Sequence, residues 1–144
     1  KKPLIAPPVE TIPPYLNFAP LDNATVALGR SATEYRKALE NINANGGSAM
    51  AAASLADVNK FLLKSERKLT NAEGLPNRPW FKHQIYAPGF YTGYAAKTMP
   101  AVREAIEQKQ WKEAEAGIVV VARVLQDEAE LISAAAAKLA AAAH

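Results

Sequence analysis

The chain has 144 residues, 17 Lys and Arg against 14 Asp and Glu for a net charge of +3, and no cysteine. That length fits one domain with one core, and so small a positive charge argues against nucleic-acid binding driven by charge. The missing cysteines exclude a disulfide scaffold, a thiol nucleophile and every cysteine-ligated zinc site, and two histidines, His83 and His144, leave little for a metal centre.

Residues 1–20 hold six of the ten prolines: Pro3, Pro7, Pro8, Pro13, Pro14 and Pro20. Proline removes backbone donors and holds the preceding residue extended, so this stretch is predicted to be an extended arm. Its two lysines lead into prolines, not into the apolar segment of a signal peptide. Ile12, Tyr15, Leu16 and Phe18 are apolar enough to dock residues 12–20 on a bundle. A first helix is predicted from about Asp22 to Asn43, with Asp22 or Asn23 accepting from the free N–H groups of its first turn. Leu28, Ala32, Tyr35, Leu39 and Ile42 form its apolar stripe. Asn23-Ala24-Thr25 is also a sequon for N-glycosylation.

Asn45-Gly46-Gly47-Ser48 breaks that helix. A second is expected from near Ala51 or Ser54 to Thr70, with Ser54 and Asp57 as a capping box. Leu55, Val58, Leu62 and Leu69 repeat at helical spacing, widened by Phe61 and Leu63, while Lys60, Lys64, Arg67 and Lys68 form a solvated basic face. Residues 71–98 then make a long loop, of the kind that is usually functional. It contains Trp80, Phe81, Tyr86, Phe90, Tyr91 and Tyr94. Such a loop is either pinned to its own core or presents a binding surface. Pinning by a buried Trp80 would make Trp80→Ala cost roughly 3–5 kcal/mol.

Thr98-Met99-Pro100 opens a third helix, since proline suits a first turn. Ala101, Val102, Ala105 and Ile106 face inward, and the helix ends near Lys109. Trp111 opens the last helix, with Trp111, Ala114, Ile118, Val121, Leu125, Ala129, Ile132 and Ala136 as its stripe. Some thirty residues span about 45 Å, so part of this helix is expected to project or pair. Its apolar segment Gly117–Leu125 is far shorter than the ~20 residues of a membrane span. Thirty residues of the chain are alanine, the best helix former, whose small side chain lets helix axes approach. Residues 138–144 and 46–54 each have two readings: a vector-derived tail and a designed linker, or native Ala-rich sequence.

No histidine pair or His–Glu spacing suits zinc, and no serine has a nucleophile-elbow context. The acidic groups Glu113/Glu115 and Asp127/Glu128/Glu130 are expected on outer, solvated helix faces. His83, alone in the loop, reads as structural.

The most specific feature is the run from Gly74 to Pro88, GLPNRPWFKHQIYAP, which contributes Leu75, Pro76, Arg78, Pro79, Trp80, His83, Ile85, Tyr86 and Pro88 as a structural loop signature. It resembles the transferrin receptor-like dimerisation domain, the C-terminal helical domain of the glutamate carboxypeptidase II (prostate-specific membrane antigen) family. The similarity continues through Tyr94-Ala95, Met99-Pro100, Ile106 and Trp111, and reaches back to Leu55–Leu69 and Tyr35. The wording PGFYTGYAAKTMP is closer to fungal members.

The resemblance implies an all-α, up-and-down four-helix bundle over residues 21–137, with a Pro-rich arm at 1–20 and a long ordered loop between the second and third helices. It implies a non-catalytic homodimerisation domain whose 74–98 loop helps form the substrate pocket of a neighbouring zinc peptidase domain in the full-length parent. There a Lys-Tyr pair holds the substrate's terminal glutamate. Tyr94 matches the tyrosine, but Gly93 stands at the lysine position, which removes a charge-assisted contact. The family's two zinc ions and catalytic acid lie in the peptidase domain, outside this chain, so no cofactor is expected here. The implied partners are a second copy and that peptidase domain, with neither nucleic acid nor membrane insertion. The parent would be lumenal, vacuolar or extracellular-facing. Members have a longer excursion before the helix of Leu55–Leu69, and its shortening here would expose an apolar groove. Two other readings stand beside this one: a part that completes an active zinc exopeptidase, and a monomeric bundle without activity in isolation.

Overall fold

The computed structural model describes residues 12–44 and 52–142. Residues 1–11, 45–51 and 143–144 lie outside them, which takes in most of the arm, residues 46–51 of one segment with a double reading and residues 143–144 of the other. Seven elements follow in order: α1 (Ala19–Ala44), α2 (Ala52–Leu62), α3 (Ser65–Lys68), β1 (Tyr86–Pro88), β2 (Ala96–Thr98), α4 (Pro100–Glu107) and α5 (Trp111–Ala142). The fold is the expected all-α bundle, with one small antiparallel ribbon added inside the long loop.

Helix α1 starts three residues before the sequence expectation. Asn17 Oδ1 accepts from the Ala19 N–H at 3.1 Å, and Phe18 O accepts from Leu21 and Asp22 at 2.9 and 3.0 Å. Pro20 falls in the first turn, where its missing N–H has no partner to lose. Asn17 therefore does the capping expected of Asp22 or Asn23. Of the arm, Leu16 packs on the core, but Ile12 and Tyr15 are exposed, so the expected docking of 12–20 holds only at its end.

The inner stripe of α1 is Leu21, Ala24, Leu28, Ser31, Tyr35, Ala38 and Ile42, with Leu28 and Tyr35 half-buried. Its spacing alternates three and four, a 3.5-residue repeat that keeps one seam facing a partner helix. Ala32 and Leu39, expected inside, are exposed. Ser31 takes the place because its hydroxyl is satisfied within the helix, donating to Leu28 O at 2.9 Å. Across the seam α5 presents Ala114, Ile118, Val121, Leu125, Glu128, Ile132, Ala135 and Leu139 with the same repeat.

Helix α5 is the spine. At one end Ile118, Val121 and Ala122 pack with Leu21, Ala24 and Val102. At the other, Leu139 joins Ala38, Ile42 and Val58, flanked by Tyr35 and Leu62. Leu139 is 2% exposed, so α5 is covered almost to its end rather than projecting. Because α4 and α2 cover successive parts of it, two short helices do the work of one long neighbour.

The expected single helix to Thr70 is broken. Ala52 is already helical, which puts Ser54 inside α2 rather than at a cap. The chain leaves the helix after Leu62 and re-forms one turn as α3. Leu55 and Leu63 end up exposed. Ser65, at the start of α3, donates to Glu128 Oε1, and this corrects the outward placement of Glu128, which is buried on α5. The Ser65 hydroxyl meets one carboxylate oxygen on the side of α5 that faces α3, and Oε2 is buried without a protein partner.

Two glycines test this packing. A Cβ on Gly117 would lie 3.2–3.3 Å from Val102 and the Ala101–Val102 backbone, so α4 and α5 touch there. A Cβ on Gly29 would meet nothing within 4 Å. Gly117→Val should lower unfolding free energy by about 1–3 kcal/mol, whereas Gly29→Ala should raise it by about 0.5–1 kcal/mol. Urea titrations of the two variants give both values.

Candidate functional site

The long loop is built in two parts, a buried base and an exposed tip. The base folds back on itself through backbone pairs: Asn71 N–H to Lys82 O, Leu75 N–H to Phe81 O and Gln84 N–H to Leu69 O, each 2.9 Å. Gly74 is required there, with φ +71° and the Pro79 carbonyl oxygen only 2.3 Å from where a Cβ would stand. Gln84 is buried, and its Nε2 donates to Lys82 O at 2.9 Å. Leu75, Ala87 and Ala101 form a small core beneath it, with Phe81 alongside.

Arg78 is the centre of the base. It is 3% exposed. Its Nη2 donates to Glu104 Oε2 on α4 at 2.7 Å, and its Nη1 donates to Pro88 O at the end of β1. Glu104 Oε1 accepts from the Phe90 N–H at 2.8 Å. The guanidinium carbon stands 5.7 Å from the ring centroids of both Phe81 and Phe90, within cation–π range. One ion pair thus ties the base, the ribbon and α4 together.

The tip begins with β1 and β2, which pair antiparallel with Tyr86 opposite Thr98 and Pro88 opposite Ala96. Between them Gly89 N–H donates to Ala95 O at 2.9 Å, and Gly93, at φ +79°, donates to Gly89 O at 2.8 Å. Tyr94 stands next to that glycine and is 93% exposed. Tyr91 is exposed beside it in sequence, edge-on to Phe90 with centroids 5.0 Å apart. The ribbon hands over to α4 through Met99, whose N–H donates to Ile85 O at 2.7 Å from a left-handed backbone at φ 45°.

Two charged clusters hold the ribbon's flanks. His83 Nδ1 accepts from the Ile85 and Tyr86 N–H groups at 3.2 and 3.3 Å, so the ring carries its proton on Nε2, 3.1 Å from Glu66 Oε1. The Tyr86 hydroxyl donates to the same Glu66 oxygen at 2.7 Å. That hydrogen bond, with the carboxylate's charge behind it, raises the phenol above its ordinary 10.0. On the other flank, the hydrogen bond from Lys97 and the weaker one from Arg103 hold the Glu107 carboxyl below its ordinary range, against the opposing effect of partial burial.

The signature residues therefore divide. Leu75 and Arg78 are buried, Ile85 and His83 are half-buried, and Pro76, Pro79, Trp80, Tyr86, Pro88 and Tyr94 are exposed. Trp80 is 70% exposed, which corrects the expectation that it pins the loop. Arg78 does that work, and a guanidinium with carbonyl, carboxylate and ring partners can be buried where a large indole has no pocket. The sequence reading passed over Glu104, Gln84 and Glu66. The signal for a carboxylate partner was the lone arginine between prolines, but only the fold says which acid it meets. Among the described residues no three His, Cys, Asp or Glu converge. Among the described residues no helix is long and apolar enough to cross a membrane.

The family model of the transferrin receptor-like dimerisation domain matches residues 16–133. The chain belongs to that family. It is 35% identical over 78 residues to a probable glutamate carboxypeptidase LAMP1 of Arabidopsis thaliana, covering 54% of this chain and 12% of that protein. It is 32% identical over 98 residues to a probable glutamate carboxypeptidase AMP1 of the same plant, covering 62% and 14%. A probable glutamate carboxypeptidase of the fungus Arthroderma benhamiae is 44% identical over 41 residues, covering 28% and 6%. The chain thus spans a small part of the length of these relatives. The matched residues include the loop base, the ribbon and most of α5.

Arg78→Met, which leaves Glu104 without its partner inside the base, should cost about 3–5 kcal/mol. Trp80→Ala should stay within about 0.5 kcal/mol, as surface substitutions do. Chemical denaturation separates the two. The Glu107 carboxyl has a lower pKa folded than unfolded, so its stabilisation is present above about pH 4.5 and is lost as pH falls. Lys97→Met should therefore lower the urea midpoint at neutral pH, and the gap to wild type should narrow in acid.

Proposed function

We propose that this domain self-associates as a homodimer and that, in the full-length parent, its 74–98 loop closes part of the substrate pocket of a zinc peptidase domain. The observation that carries the second half is the division of the loop. Its base is locked by a buried ion pair, while its tip holds the near-fully exposed Tyr94 on a short ribbon. A rigid base with an exposed polar tip suits a residue that completes a site on another domain. Tyr94 donates its hydroxyl to a carboxylate of the substrate, and Gly93 supplies no ammonium beside it. The parent's specificity for a terminal glutamate is accordingly weaker than in members with the full pair. The zinc ions supply Lewis-acid chemistry from the peptidase domain; this chain's contribution is to position and bind.

The first half is supported by the family's description and by large apolar side chains left exposed on one stretch of chain, Leu55 on α2 and Leu63 just beyond it. A two-fold contact would bury the same patch on both copies. The reading places the parent in a lumenal or extracellular-facing compartment.

Light scattering on a sizing column, across a hundredfold concentration range, should give a mass near twice 15.5 kDa. The Leu55→Glu, Leu63→Glu double variant should shift it toward the monomer with its helix content unchanged. In the active full-length parent, Tyr94→Phe should leave folding and mass unchanged and raise KM for a carboxylate-terminated peptide by about tenfold, as loss of a hydrogen bond to a charged group predicts. An unchanged KM would remove Tyr94 from the pocket.

A further inference from the structure

We propose that Asn23 is an N-linked glycosylation site, modified as the full-length protein enters the secretory pathway. The proposal rests on the lumenal placement given above. Asn23-Ala24-Thr25 is the chain's single sequon, with no proline inside it or directly after it. On sequence grounds Asn23 competes for the duty of helix cap, which would bind its side chain to the backbone. The fold gives that duty to Asn17, whose Oδ1 takes the Ala19 N–H, and so releases the Asn23 amide.

Position on the helix also favours modification. Ala24 lies in the core seam against α5, whereas Asn23, about 100° round the helix from it, is exposed. A glycan there would leave from an exposed position, not from the face that Ala24 packs against the core. Thr25 is exposed too, and its hydroxyl donates to Leu21 O at 2.9 Å once the helix has formed. Transfer precedes that step, while the sequon is still extended. Val26, exposed and one turn of helix from Asn23, is left bare by the fold. A hydrated oligosaccharide at residue 23 would shield it and would keep this part of α1 out of the two-fold contact.

The reaction needs a lipid-pyrophosphate-linked oligosaccharide as co-reactant. Asn23 Nδ2 attacks the anomeric carbon of the first sugar. A C–N bond forms, the C–O bond to pyrophosphate breaks, the lipid pyrophosphate leaves, and the amide gives up one proton.

The test is peptide mapping of the full-length protein made in a eukaryotic host, with and without peptide N-glycosidase, which converts a glycosylated Asn to Asp. The peptide spanning residue 23 should carry an oligosaccharide before treatment and Asp after it. Asn23→Gln and Thr25→Ala should each lose the mass of one glycan on a gel, and Thr25→Ser should keep it. Unmodified Asn23 in protein protected inside microsomes overturns the site alone. Protein that stays outside the microsomes overturns the site together with the lumenal placement, so protease protection tells the two failures apart.

Discussion

Arg78 brings a full positive charge into a place from which water is excluded, and the arrangement of the long loop follows from satisfying it. Such a charge is tolerated when most of its donors and its field are answered nearby, and here only Nε is left without a partner. Glu104 answers from α4, the Pro88 carbonyl from the ribbon, and the Phe81 and Phe90 rings from either part of the loop. Since Glu104 also takes the Phe90 N–H, the same carboxylate fixes where the ribbon's tip begins. A stretch of 28 residues with little regular structure would otherwise have a large conformational entropy to lose. Here one buried ion pair and three backbone pairs at the base hold it, and the tip is free to face outward.

The helices solve a different problem with smaller means. Alanine, serine and glycine along α1 and α5 leave little apolar area per residue, so the core depends on length and close approach rather than on large side chains. The 3.5-residue repeat on both helices keeps one seam in contact over most of α5. The short helices then divide the rest of the spine between them. This is why Gly117 matters, where α4 comes within van der Waals contact, and why Leu139 is nearly as buried as the residues near the middle. The same economy leaves apolar surface uncovered at Leu55 and Leu63, an unusual liability for a monomer and an ordinary one for a domain that pairs.

On the proposed reading, base and tip separate stability from function. Residues that hold the loop are buried and act on one another, while Tyr94 is held by its neighbours' backbone and makes little of the fold itself. A tyrosine so placed can be changed without disturbing the scaffold, and a second domain can use it without altering the bundle.

Much of this was legible in the residues alone. Helical spacing, the proline at the start of α4 and the alanine content specify an all-α bundle, because periodicity and propensity are local properties of the chain. The words around Gly74–Pro88 identify the family for the same reason: turn chemistry at Gly74 and an arginine between prolines are readable without neighbours. The inner stripes of α4 and α5 were legible too, and only the tertiary structure decided the exceptions along α1 and the burial of Glu128 on α5. Ser31 enters the seam, and Ala32 and Leu39 leave it, because the Ser31 hydroxyl is satisfied by Leu28 O, and Glu128 is buried on α5 where Ser65 meets one of its oxygens. It likewise decided that Trp80 is outside and that Arg78 meets Glu104. Burial of a charge depends on which groups converge from distant parts of the chain, and no local pattern carries that information.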